Sequence, residues 1–150
     1  MRAGAEDIPE LVRLINAAYE VEKFFVSGDR TDAATVRHLL TRGVFLVTRE
    51  GDDISGCVYV ELRGPRGYFG MLSVLPGRQG SGLGRRLVTL AEQHAREHGG
   101  RDMDIRVVNL RTELPPFYRR LGYEETGIEP AVEPRALRPF HFIVMSKRLV

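Results

Sequence analysis

Residues 74–86 read VLPGRQGSGLGRR, and this glycine-rich stretch decides how the chain folds. It follows an apolar run over residues 68–74 that predicts a strand, and it precedes apolar residues at helical spacing from Leu83 to His94. Glycines let the backbone turn tightly and leave its N–H groups uncovered. The first N–H groups of a helix lack acceptors inside the helix, and the helix dipole makes that end positive. The stretch therefore predicts a strand-to-helix turn that binds an anion, most often a phosphate.

The residues around the last glycine limit which phosphate ligand fits this turn. A Walker-type loop needs a Lys followed by Ser or Thr, whereas Gly84 is followed by Arg85 and Arg86. A dinucleotide-binding loop needs glycines at positions i, i+2 and i+5. Gly80 and Gly82 meet the first two of these positions, but Arg85 occupies the third. The sequence thus argues against a nucleotide triphosphatase and against a dinucleotide-binding protein.

Two motifs resemble those of a known family. The pattern Q-x-x-G-x-G at residues 79–84, preceded by Val74 and Pro76, resembles the coenzyme A pyrophosphate loop of the GNAT superfamily of N-acetyltransferases. The segment LPPFYRRLGY at residues 114–123 resembles the second signature of that family, an aromatic–Tyr pair before Leu-Gly-Phe/Tyr. The resemblance extends over about residues 8–149, nearly the whole chain.

The resemblance implies that acetyl-CoA is the co-substrate and that its pyrophosphate meets the backbone N–H groups of the glycine loop. The thioester end then lies between the strand before the loop and the strand of residues 102–108. The residues implied in cofactor binding are Leu72, Val74, Gln79, Gly80, Ser81, Gly82, Leu83, Gly84, Arg85, Asn109 and Tyr118.

The expected reaction is direct attack of a primary amine on the acetyl thioester in a ternary complex. The departing thiolate needs a proton, and Tyr118, with an ordinary pKa of about 10, suits that role; the other interpretation is a core tyrosine. A backbone N–H near Val74, freed where the strands part, is expected to stabilise the oxyanion. Cys57 lies mid-strand in apolar surroundings and is expected to be a small core residue.

The general base is the least determined part of the expected site. A lysine-type amine has a pKa of about 10.4, so the reaction needs a base, an ordered water path or an amine of low pKa. Glu61, near the end of a strand, is the candidate base, and a solvated carboxylate on the strand face is the alternative. His141 opens the last strand and is a second candidate. No His, Cys or carboxylate cluster has metal-ligand spacing, so no metal is expected.

Composition limits the class of protein. The chain has 150 residues, which predicts one domain over residues 1–150, and a single cysteine, which fits a reducing cytoplasm. The net charge is +2, and Lys and Arg are spread along the chain, so no nucleic-acid partner is expected. No apolar run reaches the ~18–20 residues needed to span a membrane, and the first residues lack a signal pattern. A homodimer is compatible with the resemblance, but no residue requires one.

The pattern of elements predicts an α/β fold with a mixed sheet. Its predicted order is helix, helix, three strands, helix, strand, helix and two strands, which is the GNAT order with a first strand that is short or missing. Tight turns make the first three strands antiparallel, and the long helix after the glycine loop favours a parallel crossover. Asp7 and Glu10 form a capping-box pattern before the first helix, and Thr31 or Asp32 caps the second.

Two loops are expected to set the acceptor, because the resemblance assigns them that role. Residues 20–30 and residues 129–139 both carry carboxylates, which could hold a cationic amine, and the first also carries two phenylalanines. The alternative is two polar surface loops. Three functions remain open: an acetyl-CoA-dependent N-acetyltransferase, a non-catalytic acyl-CoA sensor or partner-binding module on the same fold, and another phosphate-ligand protein.

Overall fold

A computed structural model describes residues 1–150. Four helices and six strands follow the predicted order. The helices are α1 (Ile8–Ala18), α2 (Ala33–Leu39), α3 (Leu83–Glu97) and α4 (Leu114–Arg120). The strands are β1 (Val44–Glu50), β2 (Asp53–Arg63), β3 (Arg66–Val74), β4 (Asp102–Val108), β5 (Glu124–Pro130) and β6 (His141–Arg148). None of the helices combines the length and the apolar character that crossing a bilayer needs.

The strands form one mixed sheet in the order β1-β2-β3-β4-β6-β5. The first three strands are antiparallel neighbours, as the tight turns predict, and β4 lies parallel to β3, as the helical crossover predicts. The two C-terminal strands are antiparallel, and β6 lies between β4 and β5. The predicted mixed α/β fold is confirmed.

A cluster of buried apolar side chains lies on each face of the sheet, whereas the outer strand β5 is exposed along its whole length. On one face α3 packs Leu87 and Ala91 against Met103 of β4. On the other face α1 packs Leu11 and Ile15 against β1 and β2. On each face the helix lies over β1–β3. On the face that α1 covers, loops rather than a helix lie over β4 and β6.

The expected first strand survives as a short extension beside β1. Ala3 N–H donates to the Phe45 carbonyl at 2.9 Å, and Val47 N–H donates to the Met1 carbonyl at 2.8 Å. Arg2 and Leu46 form a single antiparallel bridge. The strand is therefore reduced rather than absent, and it covers part of the edge of the sheet.

One of the two predicted helix caps is confirmed. Asp32 accepts a hydrogen bond from Thr35 N–H at 2.8 Å and caps α2. The capping box before α1 is wrong, because both of its carboxylates bind elsewhere. Asp7 accepts from Gly4 N–H at 2.9 Å, and Glu10 accepts from Ile54 N–H at 2.8 Å, which ties α1 to β2.

Candidate active site

The site begins where β3 and β4 separate. Their pairing covers only residues 66–68 of β3, and beyond Tyr68 no residue of β3 has a partner in β4. A bulge on the β2 side of β3 interrupts the register between Tyr59 and Cys57. Met71 lies in this bulge with φ = 55°, the one residue other than glycine with a positive φ. Such a backbone is unfavourable for a side chain, so the surrounding sheet must hold it in place.

A cleft of about 730 Å³ opens from this separation towards the glycine loop. It is lined by most of the residues predicted to bind the cofactor: Leu72, Val74, Gln79, Gly80, Gly82, Gly84, Arg85 and Tyr118. Ser81 and Leu83 do not line it. The backbone N–H and the hydroxyl of Ser81 both bond to the Arg78 carbonyl, which closes the turn before α3. The loop residues therefore divide into those that face the cleft and those that shape the turn.

The N-terminal end of α3 provides the anion-binding character of this cleft. Gly82 is the N-cap residue and has φ = 87°, a conformation that glycine adopts without strain. Arg86 N–H bonds to the Gly82 carbonyl at 3.0 Å. The N–H groups of residues 83–85 have no acceptor inside the helix, so they are available to a ligand. They lie at the positive end of the helix dipole.

Four arginines line the cleft, Arg78, Arg85, Arg111 and Arg120, and Arg111 is paired with Glu22 and Glu113. The first two belong to the glycine loop. The sequence analysis did not select Arg111 or Arg120 as cofactor-binding residues. Arg120 lies inside the second motif, far along the chain from the glycine loop, and no sequence pattern indicates that the two meet in the fold. Arg78 is held by Glu50 of β1 at 2.8 Å, so an anionic ligand must compete with that ion pair.

Tyr118 of α4 lies at the inner end of the cleft. Its side chain is 6% exposed and packs against the ring of Phe69 with 6.0 Å between centroids. Burial raises the pKa of Tyr118, and no hydrogen bond holds its hydroxyl. The hydroxyl is therefore a neutral donor with free hydrogen-bonding capacity, as a group that gives a proton to a thiolate requires.

A second cavity of about 210 Å³ meets the cleft at Tyr118. Both are lined by Tyr19, Leu72, Leu114 and Tyr118. The second cavity lies on the α1 face, over the separating strands, and aromatic side chains form much of its wall: Tyr19, Phe25, Tyr68, Phe140 and Phe142. The two spaces therefore adjoin each other where β3 and β4 separate.

The two predicted acceptor loops form the roof of the second cavity. Ser27 N–H donates to the Arg135 carbonyl at 3.0 Å, and Leu137 N–H donates to the Phe25 carbonyl at 2.7 Å. The Arg135 guanidinium also donates to the Asp29 carbonyl at 2.8 Å. These bonds join two segments over one cavity, although Ser27 and Arg135 are more than a hundred residues apart in the sequence. The two loops therefore lie together over one cavity, and their role in acceptor binding stays a prediction.

Glu22 is the most enclosed carboxylate that lines the second cavity, with 13% of its side chain exposed, compared with 66% for Asp29 and 28% for Glu133. Burial raises the pKa of Glu22, although Arg111 donates to it at 2.8 Å. Its proton affinity is therefore higher than that of an exposed carboxylate.

Glu61, the candidate base from the sequence, lines neither cavity. It is 5% exposed and accepts hydrogen bonds from Tyr59 Oη at 2.7 Å and Arg63 Nε at 2.6 Å. Burial alone would raise the pKa of Glu61, but the bonds from Arg63 and Tyr59 outweigh it and hold the pKa below its usual value. A carboxylate whose pKa is lowered, and whose oxygens already accept hydrogen bonds from other side chains, is a poor proton acceptor.

Asn109 and His141 are tied to each other rather than to either cavity. Asn109 Oδ1 accepts from His141 N–H at 2.8 Å, and Asn109 N–H donates to the His141 carbonyl at 3.0 Å. Neither residue lines the cleft or the second cavity. Only the amide NH₂ of Asn109 remains for a ligand, and the expected cofactor contact of this residue stays a prediction.

Comparisons with known proteins agree with this geometry. Streptothricin acetyltransferase from Streptomyces lavendulae is 34% identical over 76 residues, which are 50% of this chain and 40% of that relative's length. Ribosomal-protein-S18-alanine N-acetyltransferase from Escherichia coli superposes with a TM-score of 0.83 at 15% identity, over 99% of this chain and 92% of that one. The yncA protein of Salmonella typhimurium, solved with its cofactor acetyl-CoA, gives a TM-score of 0.77 at 22% identity, over 100% and 92% of the two chains.

At these identities the solved structures show the fold alone. The family evidence comes from the model of the GNAT acetyltransferase domain, which matches residues 41–125. That range is more than half of the chain, and it includes the glycine loop and Tyr118. The chain belongs to the GNAT acetyltransferase family.

Proposed function

We propose that the chain is a single-domain, acetyl-CoA-dependent N-acetyltransferase that acts on a primary amine by direct attack in a ternary complex. The observation that carries the proposal is the meeting of the two cavities at Tyr118. One cavity has the charge and N–H groups for a pyrophosphate, and the other is a separate compartment for an acceptor. A module that only binds acyl-CoA needs no second compartment that opens on the thioester end.

The residues present fit acetyl-CoA. The N–H groups of residues 83–85 and the side chain of Arg85 would hold the pyrophosphate, and Leu72 and Val74 would line the path of the pantetheine arm. A Cβ at Gly80 or Gly82 would meet no protein atom within 4 Å, so the backbone there is open to a ligand. When bound, acetyl-CoA supplies the thioester carbonyl that the amine attacks and the thiolate that leaves.

The chain's own groups manage the protons of the reaction. The new C–N bond forms from the amine lone pair as the C–S bond breaks, and the Tyr118 hydroxyl donates its proton to the leaving sulfur. The neutral amine must lose one proton, and we propose Glu22 rather than Glu61 as the acceptor; Tyr118 then regains a proton from solvent and Glu22 releases its own, which restores both groups. Glu22 lines the acceptor cavity and is desolvated there, whereas Glu61 lies outside it. Backbone N–H groups of β3 beyond Tyr68, unpaired on the β4 side, would stabilise the oxyanion.

Thermal unfolding with acetyl-CoA, coenzyme A, NAD and ATP in turn tests the cofactor. A ligand at 100 times its Kd adds about 2.7 kcal/mol, which for a chain of this size raises Tm by roughly 5–10 °C. We expect that rise with acetyl-CoA and coenzyme A, and thiol release when an amine panel is added. A response only to NAD or ATP would overturn the proposal, and acetyl-CoA binding without turnover of any amine would favour a non-catalytic sensor.

A further inference from the structure

The carboxylates of the acceptor cavity are already neutralised by cations of the protein. Each of the three that line the cavity has a basic partner within 4 Å. The pairs are Glu22 with Arg111 at 2.8 Å, Asp29 with Lys23 at 3.6 Å, and Glu133 with Arg135 at 3.2 Å. A cationic substrate would therefore have to displace an internal cation to reach any of these carboxylates.

Two arginines of the same cavity have no carboxylate partner within it. Arg30 forms no ion pair, and its guanidinium lies over the Tyr19 ring at 5.2 Å from the centroid. Arg106 pairs with Glu129 at 3.6 Å, but Glu129 does not line this cavity and is half-exposed. The cavity lining itself therefore carries more basic than acidic side chains: Lys23, Arg30, Arg106 and Arg135 against Glu22, Asp29 and Glu133.

The two arginines line the cavity from different elements. Arg30 belongs to the roof loop, and Arg106 belongs to β4, which forms the floor. Aromatic rings hold the floor arginine, since its guanidinium lies 4.9 Å from the Phe142 centroid and 5.8 Å from that of Tyr68. Cation–π contacts position a guanidinium without consuming its N–H donors, so those donors stay available to an anion.

The walls and the roof of the cavity limit the size and the polarity of the molecule that carries the anionic group. The cavity measures about 210 Å³, and most of the residues that line it are apolar or aromatic. The hydrogen bonds between the two roof loops, such as Leu137 N–H to the Phe25 carbonyl, hold the loops together over the cavity. A small molecule with an apolar or aromatic body fits these limits.

We propose that the acceptor is a small amino acid with an apolar or aromatic side chain, whose carboxylate is held by Arg30 and Arg106 while its amine points to Tyr118. This inference rests on the proposed function, because it names the substrate class of that site. Arginine suits the role, since its planar fork of N–H donors matches a carboxylate. In this orientation the amine lies beside Tyr118, where the cavity meets the cleft.

Matched acceptors test the inference directly. Phenylalanine, phenylalaninamide and phenethylamine share one aromatic body and differ in the carboxylate, and a short peptide that begins with phenylalanine tests access for a polypeptide. We expect kcat/KM for phenylalanine to exceed that for the amide and the amine by about tenfold or more, as a charge-assisted hydrogen bond provides. The amide has the lower amine pKa, so intrinsic reactivity favours it and cannot produce this preference.

Charge-removing variants assign the preference to the two arginines. Arg30→Gln and Arg106→Gln should each lower the phenylalanine-to-amide ratio of kcat/KM, and together bring it close to one. Arg148→Gln, an exposed arginine at the end of β6, removes the same charge away from the cavity and should leave the ratio unchanged. Both cavity arginines are exposed enough for the variants to fold, which circular dichroism checks.

The outcomes separate this inference from the proposed function. Acetylation that prefers the amide, phenethylamine or the peptide, or ratios unaffected by both variants, would overturn the amino-acid assignment while the acetyltransferase function stands. If no amine is acetylated, calorimetric titration of the coenzyme A-saturated protein decides. Binding of phenylalanine that Arg106→Gln abolishes would then support the site without catalysis, and equal binding of phenylalanine and its amide would refute it.

Discussion

Tyr118 and Tyr123 form a matched pair of tyrosines, and we expect the first to serve catalysis and the second to serve stability. Their rings pack in one core with 6.0 Å between centroids, and both side chains are almost fully buried. Tyr118 makes no hydrogen bond inside the protein, whereas Tyr123 Oη donates to the buried Glu92 carboxylate at 2.7 Å. Removing one hydroxyl should therefore affect activity alone, and removing the other should affect stability alone.

Tyr118→Phe leaves no protein group without a partner. The free energy of unfolding should change by about 0.5 kcal/mol or less, and the affinity for coenzyme A should be unchanged. A positioned general acid contributes about 10²–10⁴-fold to the rate, so kcat should fall at least roughly 100-fold. Because burial raises the pKa of Tyr118, the wild-type rate should show no decline from loss of this proton below about pH 10.

Tyr123→Phe leaves Glu92 with Lys147 as its one remaining partner, at 3.1 Å. Loss of a hydrogen bond to a buried charged group costs about 1.5–3 kcal/mol, or a Tm lower by roughly 3–12 °C. Its kcat should match that of the wild type at a temperature where both are folded, because Tyr123 lines neither cavity.

The assay combines thiol release from acetyl-CoA with thermal unfolding for the wild type and both variants. An active Tyr118→Phe protein, with kcat within twofold of the wild type across the pH range, would refute the acid role. So would a Tyr118→Phe protein that lost as much stability as the Tyr123→Phe protein, because its rate loss would then have a structural origin.

Two further pairs of variants test the loop and the base. Gly82→Ala and Gly51→Ala both place a side chain at positive φ, at 87° and 61°, and should each destabilise the fold by about 1–2 kcal/mol; only Gly82→Ala should raise KM for acetyl-CoA, and equal KM values would contradict the loop assignment. Glu22→Gln should lower kcat/KM with little loss of stability, since Arg111 keeps Glu113 as a partner at 3.0 Å. Glu61→Gln should do the reverse, with about 1–3 kcal/mol lost in denaturant titrations and kcat unchanged; a rate loss confined to Glu61→Gln would restore it as the base. The pKa of Glu61 is lower in the folded state than in the unfolded chain, so its contribution to stability is present above about pH 4.5 and should be lost in wild-type acid titrations as pH falls below that value, but not in Glu61→Gln.

The elements near the glycine loop were predictable because their signals are local. A glycine at positive φ before α3, the alternation of β4 and the tight turn between β1 and β2 depend on a few neighbouring residues. The antiparallel and parallel neighbours then follow from connection length. The sequence also predicted eight of the residues that line the cleft, most of them in the glycine loop, but not those that reach it from other elements, such as Tyr19, Arg111 and Arg120.

The rest of the site depends on contacts between distant parts of the chain. Glu10 leaves the capping pattern because Ile54 N–H, on another element, offers a better-placed donor. Glu61 has the right side chain and strand position for a base, but Arg63 and Tyr59 surround it. The alternation of apolar and polar residues along β3 does not reveal the bulge at Met71. The bulge adds a single residue to one strand, and the residues beside it are still largely apolar.

The bulge and the short β3–β4 pairing explain why one fold can present a cofactor and an acceptor to each other. If β3 and β4 stayed paired beyond Tyr68, their backbone groups would satisfy one another and the sheet would separate the two cavities. Because they part, both cavities reach Leu72 and Tyr118 from opposite faces. The cofactor side of this gap is built by one local stretch, residues 74–86, and is therefore readable from sequence. The predicted acceptor side is built where residues 20–30 meet residues 129–139 across the chain, so its charges can change without disturbing the cofactor loop. We therefore expect acceptor choice to depend on the roof and floor arginines, Arg30 and Arg106, rather than on the motif that defines the family.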